Sequence, residues 1–519
     1  MPDPDRDRQE ALERLKEAEN TGDKNTAKYI RRVLELLTPI QRTETLHLTL
    51  QEAIHRALAT SYLIEVDRYN PAIEATRVIE AKAAFDAVFF TNITKNNIDR
   101  PSSSQLSATD VDIFTSSMGI RKLLPTGMQV SSSYDLDRTK TTLAFQSEDL
   151  NPAYVTNLVF EMRQPLLRGF GIDYNRSLIR ISQANKQSAD WAFRRNVRDL
   201  VRQVEEAYWR LVQARRDVVI SARLLVDFEQ ILEYLDARRD FDIIPVQLNA
   251  TQASLEINRA AFIRLVARVL DAEDQLVALM NSEDVDLADD VEIIPTDFPQ
   301  LNRIAVDRVA EVKVALDNRS ELKEQELQIE IAKLNAGRAK NQELPRLDFS
   351  FRQMYDGLAG NADRSFDKAT AANFIEYFFG VEFEAPIGNR GPRAESYRAQ
   401  LQYAASVALL KQRMEEVIFD VNQAVRELNT SYDQIAPSFF SAEARVREVD
   451  SIVARAERKD LNTLNSELNS RQSLAEARRV MLNAAVEYNI AIVDLERAKG
   501  TLLTYNNILI PTPEATAGN

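Results

Sequence analysis

Cysteine is absent from this 519-residue chain, which excludes disulfides, thiolate metal sites, a cysteine nucleophile and an acylated N-terminal cysteine anchor. Histidine is nearly absent. With only His47 and His55, a Ser–His–Asp triad or a His-rich metal centre has almost nothing to be built from. Glycine is scarce, 13 residues or about 2.5%, against roughly 7% in ordinary proteins. Turn-rich enzyme domains need more glycine than that, so long helices with few connections are expected. No run of 18 uncharged apolar residues occurs, which rules out an ordinary transmembrane helix. A membrane barrel is not excluded, because alternating strands leave only a weak hydropathy signal. The first twenty residues lack an apolar h-region, so no secretory signal is legible there. The charge balance, 65 basic against 79 acidic side chains (net −14), gives no support to nucleic-acid binding. What is plentiful is apolar content, 45%, enough for a large buried core.

Helical pattern dominates. From Asn175 to Arg239 there is neither proline nor glycine. Val201, Val204, Tyr208, Leu211, Val218, Ala222, Leu225 and Leu232 fall there at spacings of mostly three and four, with Arg215 as one polar interruption. That is a coiled-coil seam, and a helix of this length extends for roughly 100 Å. A second long run, about 394–459, is interrupted only by Pro437, which should bend it. Each run ends in a short polar break, ARRDFDIIPVQ (237–247) and ERKDLNT (457–463), followed by return helices over about Val246–Met280 and Leu464–Leu503.

The two return helices align. LNATQ at 248–252 matches LNSRQ at 468–472, and Glu256, Arg259 and Asp274 match Glu476, Arg479 and Asp494 at the same offset of 220. Upstream, the incoming helices align at an offset of 258, so the chain is an internal duplication whose first half carries roughly 40 extra residues, enough for one β-hairpin.

Strands occupy the same place in both halves, about 85–165 and 345–386. In GMQVSSSYDLD, Met128, Val130, Tyr134 and Leu136 alternate with Gln129, Ser131, Ser133 and Asp135. Downstream, Tyr154, Leu158, Phe160 and Met162 oppose Asn157, Glu161 and Arg163. In the second half Phe349, Phe351 and Tyr355 oppose Asp348, Ser350 and Arg352, and Phe379, Val381 and Phe383 oppose Gly380, Glu382 and Glu384. Such alternation fits a water-filled barrel in lipid, and equally a soluble antiparallel sheet packed on helices.

Three features together carry a family resemblance: the duplicated helix–strands–long helix–return helix order, the strand-to-helix junctions QPLLRGFG (164–171) and APIGNRGPR (385–393), and the ending AAVEYNIAIVDLERAKGTLL (484–503). Over about 46–510 the chain resembles the TolC-type outer-membrane efflux proteins, the outer membrane factors. The resemblance implies a mainly α fold with a β-barrel portion. Duplicated antiparallel helical hairpins would form an α-barrel tunnel, and the strands would contribute to a trimeric transmembrane β-barrel. It implies no enzyme activity and no cofactor. The function implied is an outer-membrane exit duct with its helical tunnel in the periplasm. Its partners would be two further copies of itself, a periplasmic adaptor, an inner-membrane pump and outer-membrane lipid. A soluble coiled-coil scaffold protein is the alternative from another class.

Under the resemblance, the domains are an N-terminal charged helical extension (1–45), repeat one (46–281), an acidic equatorial linker (282–304), repeat two (305–504) and a tail (505–519). The hairpin Asp110–Leu143, with its tight turn at 123–127, would raise the strand count of a trimer from the family's 12 to 18, or else lie outside a 12-strand barrel; incorporation is favoured. Gate and adaptor contacts are expected at the hairpin tips, Arg238, Arg239, Asp240 and Asp242 in one and Arg458, Lys459 and Asp460 in the other, although charged turns are ordinarily just solvated. The junctions rest on Pro165, Gly169 and Gly171, and on Pro386, Gly388 and Gly391. Lipid-facing positions are Met128, Val130, Tyr134, Phe160, Phe349, Phe351, Phe379 and Phe383. His47 and His55 read as eight apart on the first helix and so not as metal ligands, Trp191 and Trp209 as interhelix packing, and Glu161, Glu376, Glu382 and Glu384 as one strand face rather than hydrolytic carboxylates.

Overall fold

The computed structural model describes residues 12–19, 23–42, 44–101, 108–142, 147–238, 245–281, 291–455 and 461–510. In chain order the elements are α1 (12–19), α2 Lys24–Leu36, β1 Glu44–Leu48, α3 Leu50–Thr60, α4 Tyr62–Ala83, β2 Val88–Asp99, β3 Asp110–Leu123, β4 Gln129–Thr141 and β5 Ala153–Pro165. There follow α5 Ile172–Asn175, α6 Ser177–Ala237, α7 Pro245–Met280, β6 Val291–Pro295, α8 Arg308–Asn318, α9 Ser320–Gln342 and β7 Arg346–Ala359. The chain continues with α10 Ala362–Thr370, β8 Ile375–Glu384, α11 Arg390–Arg455, α12 Leu461–Lys499 and α13 Leu502–Tyr505. The long helices are thus 61 and 66 residues, and α11 continues through Pro437.

The chain divides into two units. The first, helical apart from β1 and β6, is built on the seam legible in the sequence. Val201, Val204, Tyr208, Leu211, Val218, Ala222 and Leu225 are each at most 1% exposed. Leu255, Phe262, Val269 and Leu276 of α7 recur every seven residues and are buried with them, the repeat that keeps an apolar edge facing a partner helix. Each fully buried side chain of this size contributes about 1.5–3 kcal/mol. Trp209 lies in this core edge-to-face with Tyr208, centroids 5.5 Å apart. The return helix ends earlier than expected, at Lys499, because Gly500 takes the left-handed φ of +78° that stops a helix.

One expectation fails here. His47 is not on a helix with His55. It sits on β1, which pairs in parallel with β6, His47 opposite Ile294, whereas His55 is on α3. The capping box of Thr49 and Glu52 starts that helix, so the strand ends at Leu48, one residue after His47. Within residues 1–45 the described helices are α1 and α2, and α2 packs on α6: Lys28 meets Glu233 at 2.8 Å and Arg32 meets Glu229 at 2.9 Å.

The second unit contains one six-stranded sheet in the order β2-β3-β4-β5-β7-β8, antiparallel throughout. The hairpin β3–β4 is inside that sheet, between β2 and β5, with full register on both sides. Its turn is closed by Gly127 N–H donating to the Leu124 carbonyl at 2.8 Å. Gly127 has φ +91°, and a Cβ there would come within 2.5 Å of the Gly169 carbonyl, so the turn seats directly on the first strand–helix junction.

Candidate functional site: a sheet with one ionised face

The ladder register decides which side chains share a face. On one face, Ser131 and Arg163 lead to Glu161, Ser350 and Arg352, and Pro165 to Asp348 and Glu382. Arg163 and Arg346 both reach Asp348, at 2.6 and 2.8 Å, and Arg346 also meets Glu382 at 3.0 Å and Glu384 at 3.4 Å. Arg352 meets Glu161 at 3.3 Å. Further along, Asp135 accepts hydrogen bonds from Ser117 and from Ser133, the latter at 3.1 Å. Pairs exposed at one or both partners, such as Arg352 with Glu161 and Arg346 with Glu382 and Glu384, are worth about 0–1 kcal/mol each. Stability therefore does not account for so many ionised groups on one face; contact with water does.

The other face is the reverse. The register aligns Ile120, Ser132, Phe160, Gln353 and Tyr377 across five strands, and Met162, Phe351 and Phe379 beside them. Phe160 stacks edge-to-face on Phe351 at 6.4 Å, and Phe351 lies 5.0 Å from Phe379. Met128, at the hairpin turn, precedes Val130, Tyr134, Phe160, Phe349, Phe351, Phe379 and Phe383 on this same face by strand parity. Much of it has no cover in this chain: Phe89, Ile120, Phe379, Val381 and Phe383 are all more than half exposed. Charge returns at the strand ends remote from the long helices, where Asp112 meets Arg138 at 3.1 Å.

Over those ends lies α10, which sequence reasoning missed. Its Ser365 hydroxyl donates to the Gly357 carbonyl and sits 2.8 Å from the Thr156 hydroxyl, while Phe366 stacks on Tyr134 at 5.8 Å. Gly357 is required, since a Cβ would fall 1.9 Å from the Ser365 carbonyl. The signal was present: Asn361 caps the helix by accepting from Arg364 N–H at 3.0 Å.

The junctions lie at the opposite end of the strands. Pro165 closes β5, and Gly169 and Gly171 take φ of +82° and +105°. The Asn175 side chain bonds both their carbonyls at 2.9 Å, and Asn341 accepts from Gly169 N–H at 2.7 Å. After Pro386, Gly388 has φ +92°, Asn389 donates to the Glu343 carbonyl at 2.7 Å, and Gly391 is already in α11. Of the tip residues, Arg238 lies over the Tyr234 ring at 5.5 Å and donates to its hydroxyl at 2.7 Å. Arg239, Asp240, Asp242, Arg458, Lys459 and Asp460 lie outside the described residues.

The helical unit holds buried charge that composition could not reveal. Arg215, the polar interruption of the seam, pairs with Glu273 at 3.0 Å and with Glu292, all three at most 5% exposed. Burial pushes the Glu273 carboxyl up to about 7 against the pull of Arg215. Burial likewise raises Glu205 to about 7, opposed by one hydrogen bond from the Asn506 amide at 2.7 Å. Among the described residues no cluster of metal-ligating side chains occurs, and no helix is long and apolar enough to cross a membrane.

No protein-family model and no curated protein matches the sequence. Solved structures match the fold. The outer-membrane channel OprN superposes with a TM-score of 0.63 over 89% of this chain and 94% of its own, at 15% identity. The CmeC outer membrane channel of Campylobacter jejuni gives 0.64 over 87% and 86%, at 13% identity. The outer membrane protein VceC of Vibrio cholerae gives 0.63 over 87% and 96%, at 15% identity. The chain has the TolC-type channel fold. Within that fold, the duplicated helical hairpins and the strand insertions of both halves are as the sequence resemblance implied.

Proposed function

We propose that this chain is the passive exit duct of an efflux or secretion assembly, embedded in the outer membrane by its sheet. Three copies would complete a barrel, and the helical hairpins would form the periplasmic tunnel. One observation carries the reading: a sheet with an ionised face, an uncovered apolar face and two open edges. Outside a membrane such an apolar face is an aggregation hazard; in lipid it is the required surface, and the ionised face lines water. The duct catalyses nothing. Energy comes from an inner-membrane pump joined through a periplasmic adaptor, and passage is set by pore width and lining charge. The gate is placed at the tips, around 238–242 and 457–460.

Two experiments test this. In planar bilayers the purified protein should give discrete current steps, and their absence under conditions of verified insertion would refute the duct. Engineered cysteines tethering the tips should block export with assembly intact; unchanged export with a verified crosslink would move the gate elsewhere.

A further inference from the structure

The hairpin β3–β4 has no counterpart in the second half, yet it is neither a flap nor an edge addition. Each of its strands is paired along its length on both sides, β3 to β2 and β4 to β5, and β3 to β4 in between. Its faces continue those of the neighbouring strands: Val130 and Tyr134 lie with Met162 and Leu158, and Ser131 and Asp135 with Glu161 and Asn157. Removing it from the sheet would break both outer ladders. The open edges are elsewhere, on β2 and β8.

Those edges suit each other. Six strands alternate in direction, so β2 and β8 run oppositely, and the β8 of one copy continues the antiparallel ladder on the β2 of the next. On the apolar face both edges present uncovered side chains, Phe89 and Ile93 on β2 and Tyr377, Phe379 and Val381 on β8. Six strands cannot close alone, because the smallest membrane barrels need about eight.

We infer that the hairpin is part of the pore wall: three copies join β2 to β8 into a single barrel of 18 strands. This rests on the three-copy duct reading above. The consequence is width. Strands about 4.8 Å apart, tilted about 40°, each occupy roughly 6.3 Å of circumference. Eighteen give a barrel roughly 36 Å across between backbones, and twelve give roughly 24 Å. The occupied cross-section rises about twofold, into the range where porin-type barrels hold an aqueous channel.

Electron cryomicroscopy of the full chain in lipid nanodiscs reads the answer directly. The expected result is 18 strands with β3 and β4 in the wall; a closed 12-strand barrel with β3–β4 outside it overturns the inference while leaving the duct reading standing. A single-chain particle with no closed barrel overturns both. The cysteine-free background provides a second readout in the assembled channel. Ser131→Cys and Ser133→Cys should react with a charged, membrane-impermeant thiol reagent, and Val130→Cys and Ile120→Cys, on the uncovered apolar face, should be protected by lipid. Equal reactivity at both pairs would place the hairpin outside the wall.

Discussion

An arginine on strand β5 should have opposite consequences depending on which face receives it. Phe160 sits mid-strand on the apolar face, edge-to-face with Phe351. In Phe160→Arg the guanidinium meets the lipid midplane, a cost of about 2–4 kcal/mol in barrel proteins. Losing the aromatic pair adds about 0.5–1.5 kcal/mol. The sum, about 3–5 kcal/mol, lowers the folding equilibrium constant by about a hundredfold or more. Asn157, three residues away, is on the other face between Asp135 and Asp356 on the neighbouring strands. Asn157→Arg brings a cation to two carboxylates in water, and its cost should stay under about 1 kcal/mol. The assay is reversible urea unfolding in lipid vesicles, with the assembled fraction measured on outer-membrane preparations. Similar losses from both substitutions, or a larger loss from Asn157→Arg, would refute the assignment of faces.

Glu205→Gln should raise stability at pH 8 by up to about 3 kcal/mol, read by thermal denaturation. The wild-type carboxyl titrates near 7 in the fold against an ordinary 4.5, so wild-type stability is fully present below about pH 4.5 and declines as pH rises towards 7. The two proteins should therefore converge at acid pH, and a pH-independent difference would contradict the cause given. Arg215→Met leaves Glu273 and Glu292 buried without their cation; about 3–5 kcal/mol should be lost at pH 8 and less at pH 5, where Glu273 is protonated. Gly357→Ala should unseat α10, seen as new protease cleavage within 362–370 with the trimer retained; an unchanged digest would contradict the close approach.

Much of this architecture is legible from periodicity. Strand faces follow from the two-residue repeat of GMQVSSSYDLD and AYVTNLVFEMR, and the helical core from the three-and-four spacing of Val201 to Leu225. Arg215 stood out as a charge in an apolar seam, but its partners could not be read, because Glu273 is on the return helix and Glu292 on β6. The strand bearing His47 was missed for a similar reason. Five residues carry too little alternation, and what makes them a strand is β6, some 250 positions later. The incoming helix also breaks at Ser61, and its equivalent at Arg319, without proline or glycine. At Arg319 the partners are tertiary: the Ala498 carbonyl at 3.1 Å and Asp420 at 3.2 Å. Such long-range pairings leave no mark in a window of a dozen residues.

In the duct proposed above, one chain supplies only part of a membrane barrel. Light scattering with detergent correction, on protein extracted from membranes, tests it most directly. Three protein chains per particle, and precipitation when detergent is withdrawn, are the expected result. A stable, detergent-free single chain with its sheet intact would contradict it.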